Sequence, residues 1–581
     1  MKKKTILASL LISAVLALGA TGCQRGGGGS KSSSSEQSSS ASESSSESSS
    51  SEQSSSSEMS SSEQSSQSES SSSSEEEDNK VKLEQVDPFT LSANYRNARI
   101  KGQGYAGEQY TQVYNEDFKS TYVIQDVKAL VVPVDFPDYP SSLYGNTEED
   151  SRRLLDKVMF GGPDDMEWYS LSQYYKESSF GTCNISGVVA PWYHYAQNAK
   201  SLDKSKTSIS KQIAVDLQDY YRKAENPIVD LDGNEYNLAD FDANQDGFVD
   251  SIIMLYTAPI TTTGELWWAF CWSVSGAFGK YTKDGHLEGA NRFFWASFNF
   301  LFEKGNNQYY TSEEIKNGTA KPDAHTMTHE YGHVLSLPDY YITDYNSDDY
   351  SGLGGLDMMD YNIGDHNAYS KMLYGWVNPR RVTGTEGSVT TTLNSTTTTG
   401  DTIIIPAQGE WNNTYLDQYL MIEFLTPEGV AKKDGQGQYL GTYPLYYNKP
   451  GIRITHVDSR LGVWNRASSE YVFGGYTWTT TPPDNTSYIS VAADNTASRS
   501  CFPNYKIIEL LPSNGKSMKV YGKNADNNAL YYQGASFGTN GIWENFKMNG
   551  ISGKKDKEFG YTITVDKIEG NSSATITISH I

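Results

Sequence analysis

The sequence predicts a mixed α/β body that is preceded by a disordered tail and followed by an all-β region. Between residues 127 and 382, apolar strand-like runs alternate with helical and loop stretches, as in α/β domains. From residue 383 to 581, short alternating runs such as YLMIEF and IRITHV are separated by Gly, Asn, Pro and Asp, which is typical of a β-sandwich. Residues 24–80 are dominated by Ser and Glu, and such a segment buries too little apolar surface to fold.

Residues 1–23 indicate an export signal. Three lysines precede the apolar run ILASLLISAVLALGA, which is too short to span a membrane, and the sequence ATGC ends at Cys23. This ending resembles a bacterial lipobox, which implies cleavage before Cys23 and attachment of lipid to its thiol. We therefore expect a lipoprotein held at the outer face of the bacterial cell membrane, with a plain secretory signal as the alternative.

Charge and cysteine content narrow the class of protein further. The 581-residue chain has a formal net charge of −24, which disfavours nucleic acid as a partner because phosphate recognition needs a basic surface. The tail 24–80 is expected to be a solvated tether, with a binding tail as the alternative. Residues 81–126 are polar without a clear period, and they form either a pro-segment or an extension of the body. Three cysteines besides Cys23 are too few for a disulfide framework.

The stretch HTMTHEYGHVLSLPDYY carries the clearest chemical pattern. His329 and His333 are four residues apart, so on a helix both imidazoles face one metal ion. Glu330 follows the first histidine and is placed to act as the general base towards water at a zinc ion. Asp339 lies six residues beyond His333, after Pro338 turns the chain, and is the expected third zinc ligand. A carboxylate that merely stabilises the turn is the alternative for Asp339.

A second acidic pattern, DANQDGFVD, places oxygen ligands at alternate positions around a glycine bend, as a calcium loop does. The expected Ca²⁺ ligands are Asp242, Asn244, Asp246, Phe248 and Asp250. The pattern is not an EF-hand, because an isoleucine stands where the bidentate glutamate belongs. Bound calcium would stabilise the fold without taking part in the chemistry, and an ordinary solvated turn before a strand is the alternative.

The stretch HEYGHVLSLPDYY, followed by GGLDMMDYNIGDHNAYSKMLYGWVNP, resembles the immune inhibitor A-like family of bacterial secreted zinc metallopeptidases. The segments ALVVPVDFPDYP, SLSQYYKESSFGTCNISGVV and FDANQDGFVDSIIMLYT are similar to that family's first strand, its following helix and strand, and its acidic loop and central strand. DQYLMIEF and PGIRITHVDSRL resemble the strands after the catalytic domain, so the resemblance spans residues 128–458. It implies a zincin-type, metzincin-like catalytic domain with zinc in a cleft beside an active-site helix.

The resemblance also suggests roles for residues around the motif. Met358 and Met359 are expected to form a methionine turn beneath the histidines, with ordinary core packing as the alternative. Tyr361 is a candidate second electrophile for the oxyanion by analogy with some metzincins, and a core or rim tyrosine is the alternative. Gly332 is expected to let the helix approach a neighbouring strand. Ser336 stands where the family usually has glycine, three residues after the second histidine.

These observations predict a cell-surface zinc endopeptidase that hydrolyses peptide bonds of extracellular proteins or peptides. The expected cofactors are Zn²⁺ and, at the acidic loop, Ca²⁺, and the expected contact with the membrane is through the lipid anchor alone. The alternative function is a surface-anchored binding or adhesion lipoprotein whose peptidase domain is inactive. The intact HExxH argues against that alternative, because an inactive relative usually loses the glutamate or a ligand first.

Overall fold

Strands outnumber helices in the part of the chain that the structure describes. The computed structural model describes residues 79–86, 126–243, 249–261, 265–273, 282–283, 286–287, 292–306, 308–335, 337–341, 351–407, 411, 417–465, 470–472, 486–493, 502–521, 524–550 and 556–581. The strands in chain order are β1 (Lys82–Gln85), β2 (Asp126–Asp135), β3 (Asn184–Val189), β4 (Tyr193–His194), β5 (Ile228–Val229), β6 (Glu235–Tyr236), β7 (Ser251–Tyr256), β8 (Phe270–Ser273), β9 (Thr282–Lys283), β10 (His286–Leu287), β11 (Arg292–Ser297), β12 (Glu303–Gly305), β13 (Gln308–Tyr309), β14 (Arg380–Thr383), β15 (Ser388–Asn394), β16 (Thr402–Pro406), β17 (Gln418–Leu425), β18 (Gly451–Asp458), β19 (Leu461–Asn465), β20 (Glu470–Val472), β21 (Thr486–Ser490), β22 (Ala492–Ala493), β23 (Phe502–Lys506), β24 (Ile508–Leu510), β25 (Ser536–Gly538), β26 (Lys547–Met548), β27 (Lys557–Glu558), β28 (Tyr561–Glu569) and β29 (Ser573–His580). The helices are α1 (Glu148–Phe160), α2 (Leu171–Ser178), α3 (Ser208–Tyr221), α4 (Ser312–Lys316), α5 (His325–Val334), α6 (Met358–Tyr361), α7 (Ala368–Leu373), α8 (Thr396–Thr399), α9 (Ala431–Gln436) and α10 (Met518–Tyr521).

The central element of the N-terminal half is a sheet of order β3-β2-β7-β11-β8, with β4 also paired to β2. All of its pairings are parallel except that of β8 with β11. Strand β2 is apolar nearly throughout because both faces of the sheet are covered, as parallel sheets require. Its alternate residues enter two different core clusters, Ala129 and Val131 on one face and Leu130 and Val132 on the other.

Helices cover the two faces of this sheet. Helices α1, α2 and α5 contribute apolar side chains to the cluster on the first face, and α3 contributes to the cluster on the second face. Helix α5 carries the HExxH motif and packs through Met327, Tyr331 and Val334. The Tyr331 hydroxyl lies 2.9 Å from Ser251 Oγ at the start of β7, which fixes the helix against the sheet. The fold is therefore mixed α/β in this half, as predicted.

Two larger sheets make up most of the C-terminal half. One has the order β1-β14-β16-β17-β18-β24, and the other has the order β15-β29-β28-β25. Apolar residues of both sheets, among them Ile422, Ile454, Ile563 and Ile576, belong to one core cluster. This half is therefore rich in β-strands, but it is not all-β as expected, because it also contains the short helices α8, α9 and α10; the β-sandwich stays a prediction.

The first of these sheets also shares a core with the N-terminal half. Tyr419 and Met421 of β17 alternate with residues of the C-terminal cluster and enter the cluster that contains helix α5. Strand β1 pairs antiparallel with β14, so residues before the α/β half take part in the C-terminal sheet. Residues Asn79–Ile581 form one compact unit, and the predicted boundaries at 126 and 382 stay predictions.

Two further observations concern the helices and the cysteines of the described residues. Among the described residues, every helix is too short or too polar to cross a membrane. Cys183 and Cys271 are both buried, and neither forms a disulfide within the described part of the chain. Buried thiols of this kind pack as small apolar side chains.

Candidate metal centre

Helix α5 places two histidines on one face. His329 and His333 lie one turn apart, with ring centroids separated by 4.9 Å. The chain turns back after the helix, in the segment that contains Pro338, and brings Asp339 to both rings. Asp339 Oδ1 lies 3.1 Å from Nε2 of His329 and 3.0 Å from Nε2 of His333. The three predicted zinc ligands therefore meet, with ligand atoms that all lie within 4.8 Å of one another.

Each histidine is fixed through its other ring nitrogen. Nδ1 of His329 donates to the carbonyl oxygen of Met358 at 2.7 Å, and Nδ1 of His333 donates to that of Leu337 at 2.8 Å. Because a carbonyl only accepts, each Nδ1 carries a proton, so Nε2 is the nitrogen of each ring that can bind a metal once it has lost its own proton. With both rings neutral, two lone pairs and a carboxylate oxygen would converge on one point and repel one another unless a metal cation lay among them.

Zinc fits this donor set. Zinc in proteins takes imidazole nitrogen and carboxylate oxygen at ~2.0–2.2 Å, and tetrahedral bonds of that length place neighbouring donors ~3.3 Å apart. The separations of 3.0 and 3.1 Å between Asp339 and the two histidines are close to that spacing. Three protein ligands leave the fourth position for water or substrate, as catalytic zinc sites require.

The electrostatics of the metal-free cluster lead to the same conclusion. Burial alone would lower the pKa of His333, but the Asp339 carboxylate more than compensates and raises this pKa to about 9. Burial alone would raise the pKa of Asp339, but the two histidines hold it well below its usual range. The cluster therefore favours a positive charge between its members, which a divalent cation supplies.

Glu330 lies beside the ligands in the same helix. Its side chain is buried, and its Oε2 atom makes no hydrogen bond to the residues that the structure describes. Burial raises the pKa of Glu330, His333 and His329 lower it, and Asp339 raises it again, with a net increase. Buried carboxylate oxygens normally have partners, so an unpartnered one next to a cluster of ligands is suited to receive a proton.

The methionine pair lies against the helix that carries the histidines. A Cβ at Gly332 would come within 2.4 Å of Met359 Sδ, so only glycine permits this contact. Gly332 therefore admits a methionine of α6, and not the strand expected from the sequence. Met358 is also fully buried, and its carbonyl oxygen is the acceptor for His329. The structure thus brings both methionines to the predicted ligands.

Tyr361 lies at the C-terminal end of α6 and is partly buried. Its ring is near Gly355, where a Cβ would come within 2.8 Å of the tyrosine Cδ2. A part for Tyr361 in the reaction stays a prediction. The predicted lipidation site Cys23 and the irregular position Ser336 both lie outside the described residues.

The predicted calcium loop is described only at its two ends, Asp242 and Asp250. The remaining expected ligands lie outside the described residues: Asn244, Asp246 and Phe248. Asp250 Oδ2 accepts hydrogen bonds from the backbone N–H groups of Lys128 at 2.8 Å and Ala243 at 3.2 Å. These bonds tie the end of the loop to strand β2, and calcium binding stays a prediction.

His325, the first residue of helix α5, has an environment that the motif did not predict. Its buried ring is stacked between Trp168 and Tyr439, at centroid distances of 3.6 and 3.9 Å. Nδ1 lies 2.8 Å from Asp323 Oδ1, and Nε2 lies 3.1 Å from Asp434 Oδ1. Burial alone would lower the pKa of His325, but the two carboxylates raise it to about 9, so the ring is an imidazolium at neutral pH. The available sequence signal was its position four residues before His329, on the same helix face.

Two histidines and a carboxylate that converge beside a buried glutamate have the composition of a metallopeptidase centre. Residues 117–359 match the family model described as Immune inhibitor A peptidase M6, catalytic domain. This segment contains His329, Glu330, His333 and Asp339. The resemblance to the immune inhibitor A-like peptidase family is therefore confirmed over the segment that forms the centre.

Named relatives agree with this family. The chain is 27% identical over 246 residues to Pre-pro-metalloprotease PrtV from two Vibrio cholerae serotype O1 strains, M66-2 and El Tor Inaba N16961, covering 38% of this chain and 25% of each relative. It is 26% identical over 300 residues to Immune inhibitor A from Bacillus thuringiensis subsp. alesti, covering 46% of this chain and 40% of the relative. The chain thus spans between a quarter and two fifths of the length of these relatives.

Proposed function

We propose that the chain is a zinc-dependent endopeptidase. The observation that carries this proposal is the convergence of His329, His333 and Asp339, whose Nε2 and Oδ1 atoms lie 3.0–3.1 Å apart, with Glu330 buried beside them. The family match and the printed names of the relatives support peptide-bond hydrolysis as the reaction. Substrates are proteins or peptides.

The catalytic roles proposed for the three metal-binding residues and for Glu330 follow from the chemistry of their side chains. His329, His333 and Asp339 would hold Zn²⁺, which would supply a Lewis acid for the scissile carbonyl and for the attacking water. Glu330 takes the proton of the attacking water and delivers it to the leaving amine. The raised pKa of Glu330, caused first by its burial, makes this carboxylate a stronger proton acceptor than an exposed one.

The location of the enzyme rests on the sequence of its first residues. The export signal that ends at Cys23 supports attachment by lipid to the outer face of the cell membrane, and residues 24–80 then act as a tether. The net charge of −24 supports substrates other than nucleic acids. Calcium held by the predicted ligands Asp242, Asn244, Asp246, Phe248 and Asp250 would have a structural role within this proposal and would supply nothing to hydrolysis.

The test compares the full-length chain with Glu330→Gln, Asp339→Ala and Glu428→Gln. The last is a matched control, because it makes the same carboxylate-to-amide change at a partly buried position outside the cluster. Bound zinc is measured by elemental analysis, and cleavage of a fluorogenic peptide is measured with and without a chelator.

Glu330→Gln is expected to retain zinc and to lose about 10²–10⁴-fold in kcat, the usual contribution of a general base. Asp339→Ala is expected to lose zinc. Equal cleavage by Glu330→Gln and the unchanged chain would overturn the assignment of the base. If Asp339→Ala retained zinc, a residue other than Asp339 would be the third ligand. Asp357 is a poor substitute, because both its carboxylate oxygens accept backbone N–H groups, those of Met359 and Asn367.

A further inference from the structure

Asp434 in helix α9 is a buried carboxylate whose partners come from three separate parts of the chain. Its Oδ1 atom accepts a hydrogen bond from Trp168 Nε1 at 2.9 Å and lies 3.1 Å from His325 Nε2. Its Oδ2 atom accepts from the backbone N–H of Gly364 at 2.6 Å. Both oxygens of the Asp434 carboxylate therefore have polar partners. We call Asp434, Trp168, His325 and Gly364 the Asp434 clamp.

Two sets of structural contacts connect the Asp434 clamp to His329. The first runs along helix α5, because His325 lies one turn before His329 on the same face. The second set of contacts runs through the loop that follows the methionine pair, where the clamp holds Gly364. The backbone carbonyl oxygen of the next residue, Asp365, accepts the backbone N–H of Met358 at 3.5 Å. The carbonyl of Met358 is in turn the acceptor for His329 Nδ1. The clamp thus constrains both the helix that carries His329 and the group that orients its ring.

The segment around Asp434 is itself held firmly against the N-terminal half. Lys433 Nζ donates to the carbonyl oxygen of Trp168 and lies 4.3 Å from the ring centroid of Tyr169. The Tyr169 hydroxyl donates to the carbonyl oxygen of Gly429 at 3.2 Å. These contacts flank Asp434 in sequence and in space. They give its carboxylate a fixed position from which to act on the clamp.

We propose that Asp434 is a positioning residue for the metal centre, supplied by the β-rich region that follows the matched catalytic segment. The proposal rests on the zinc peptidase function proposed above. Asp434 fixes the first turn of helix α5 relative to the loop after the methionine pair, and so holds His329 in the orientation that directs Nε2 at the metal. On this proposal, the orientation of His329 depends on a residue well beyond the segment 117–359 that matches the catalytic family model.

The smallest change that tests the clamp is Asp434→Asn. The amide keeps the size of the side chain, but its NH₂ group can only donate, and all three partners of Asp434 present donors. At least one buried donor loses its acceptor, and His325 loses the charge that faces Nε2. The matched control is Asp401→Asn, because Asp401 is a partly buried carboxylate that accepts from Arg380 and from the backbone N–H of Asn394, away from the clamp.

The experiment loads the full-length chain with Co²⁺ in place of zinc, because the visible absorption of Co²⁺ reports the geometry of its ligands. Asp434→Asn is expected to shift the spectrum at saturating Co²⁺ and to weaken metal binding about tenfold, the lower end of the range for groups that orient ligands. It is expected to lower kcat with little change in KM. Asp401→Asn is expected to match the unchanged chain in all three measurements.

A purely structural role for Asp434 predicts a different pattern. In that case the variant loses unfolding stability but keeps the spectrum, the metal affinity and kcat of the unchanged chain, and this result overturns the proposal. If circular dichroism shows that Asp434→Asn does not fold, His325→Gln takes its place, with the same spectral shift expected and an unchanged spectrum overturning the proposal. A chain that binds Co²⁺ and cleaves no peptide refutes the proposed function alone, because the spectra still decide on the clamp.

Discussion

Replacement of Gly332 by alanine tests the packing between helix α5 and the methionine pair. In the interior of an exposed helix, alanine is favoured over glycine by about 1 kcal/mol, so the substitution would normally stabilise the protein. At Gly332 we expect alanine to destabilise the protein instead. The added Cβ would lie 2.4 Å from Met359 Sδ and 3.1 Å from Met359 Cε, and ordinary contacts between such atoms need ~3.5–4.0 Å.

Met359 must therefore retreat by about 1 Å or more within a packed core. Forcing an extra methyl group into such a site costs about 1–3 kcal/mol, and subtraction of the helix preference of about 1 kcal/mol leaves about 0–2 kcal/mol. Because Met359 is fully buried, we expect a net loss in the upper half of that range, about 1–2 kcal/mol. The backbone of Met359 accepts the N–H of Tyr340 at 2.8 Å, directly beside Asp339. Zinc affinity should therefore fall together with stability.

The assay is urea unfolding of Gly332→Ala beside Gly437→Ala, whose new Cβ meets nothing within 4 Å and which should be neutral or slightly stabilising. Adding Met359→Ala to Gly332→Ala relieves the contact, so the two changes together should cost less than the sum of each alone. An unfolding free energy that rises in Gly332→Ala would refute this account of the packing.

The remaining predictions concern three buried interactions. Arg453→Ala should lower the free energy of unfolding by about 3–5 kcal/mol in denaturant titrations, because it removes the cationic partner, at 2.8 Å, of the buried Glu423 carboxyl group. A loss below about 1 kcal/mol would contradict this. Tyr331→Phe should cost about 1–2 kcal/mol by removing the bond to Ser251, with bound zinc unchanged by elemental analysis; loss of zinc would instead give the hydroxyl a role at the metal. The pKa of His325 is raised from 6.5 to about 9, so its charge stabilises the fold fully below pH 6.5, and about 3 kcal/mol is lost as the pH rises through 9. In chelator-treated protein, the stability advantage of the unchanged chain over His325→Gln should shrink across that window, and a pH-independent difference would exclude an imidazolium.

The convergence of His329, His333 and Asp339 could be predicted from the sequence because their geometry is local. Four-residue spacing on one helix fixes the relation of His329 to His333, and a turn of six residues suffices to return Asp339 to them. Strand β2 could also be predicted from the sequence, because a parallel strand covered on both faces must be apolar nearly throughout. In each case the physical cause acts within about ten residues of chain.

The surroundings of His325 could not be predicted in the same way. Its partner Asp434 is 109 residues away, and the Trp168 that stacks on it belongs to the segment before helix α2. Neither has a local pattern that distinguishes it from an ordinary polar or aromatic residue. The pairing of β1 with β14 could not be predicted from the sequence for the same reason, since Glu84 and Arg381 are 297 residues apart. Long-range pairings of this kind depend on the assembled fold, and a single sequence carries no periodic trace of them.

Strand β1 determines where this chain can be shortened. It is the outermost strand of its sheet, and it covers the backbone of β14 from Arg380 to Thr383. Two further bonds, from Val81 N–H to the carbonyl of Glu386 and from Val86 N–H to that of Pro379, extend the cover beyond the strand. A version of the protein that starts after Val86 would leave β14 with an uncovered edge, which invites pairing with another copy and aggregation. A shortened version of the protein should therefore begin no later than Asn79, whose carbonyl oxygen accepts the backbone N–H groups of Thr385 and Glu386.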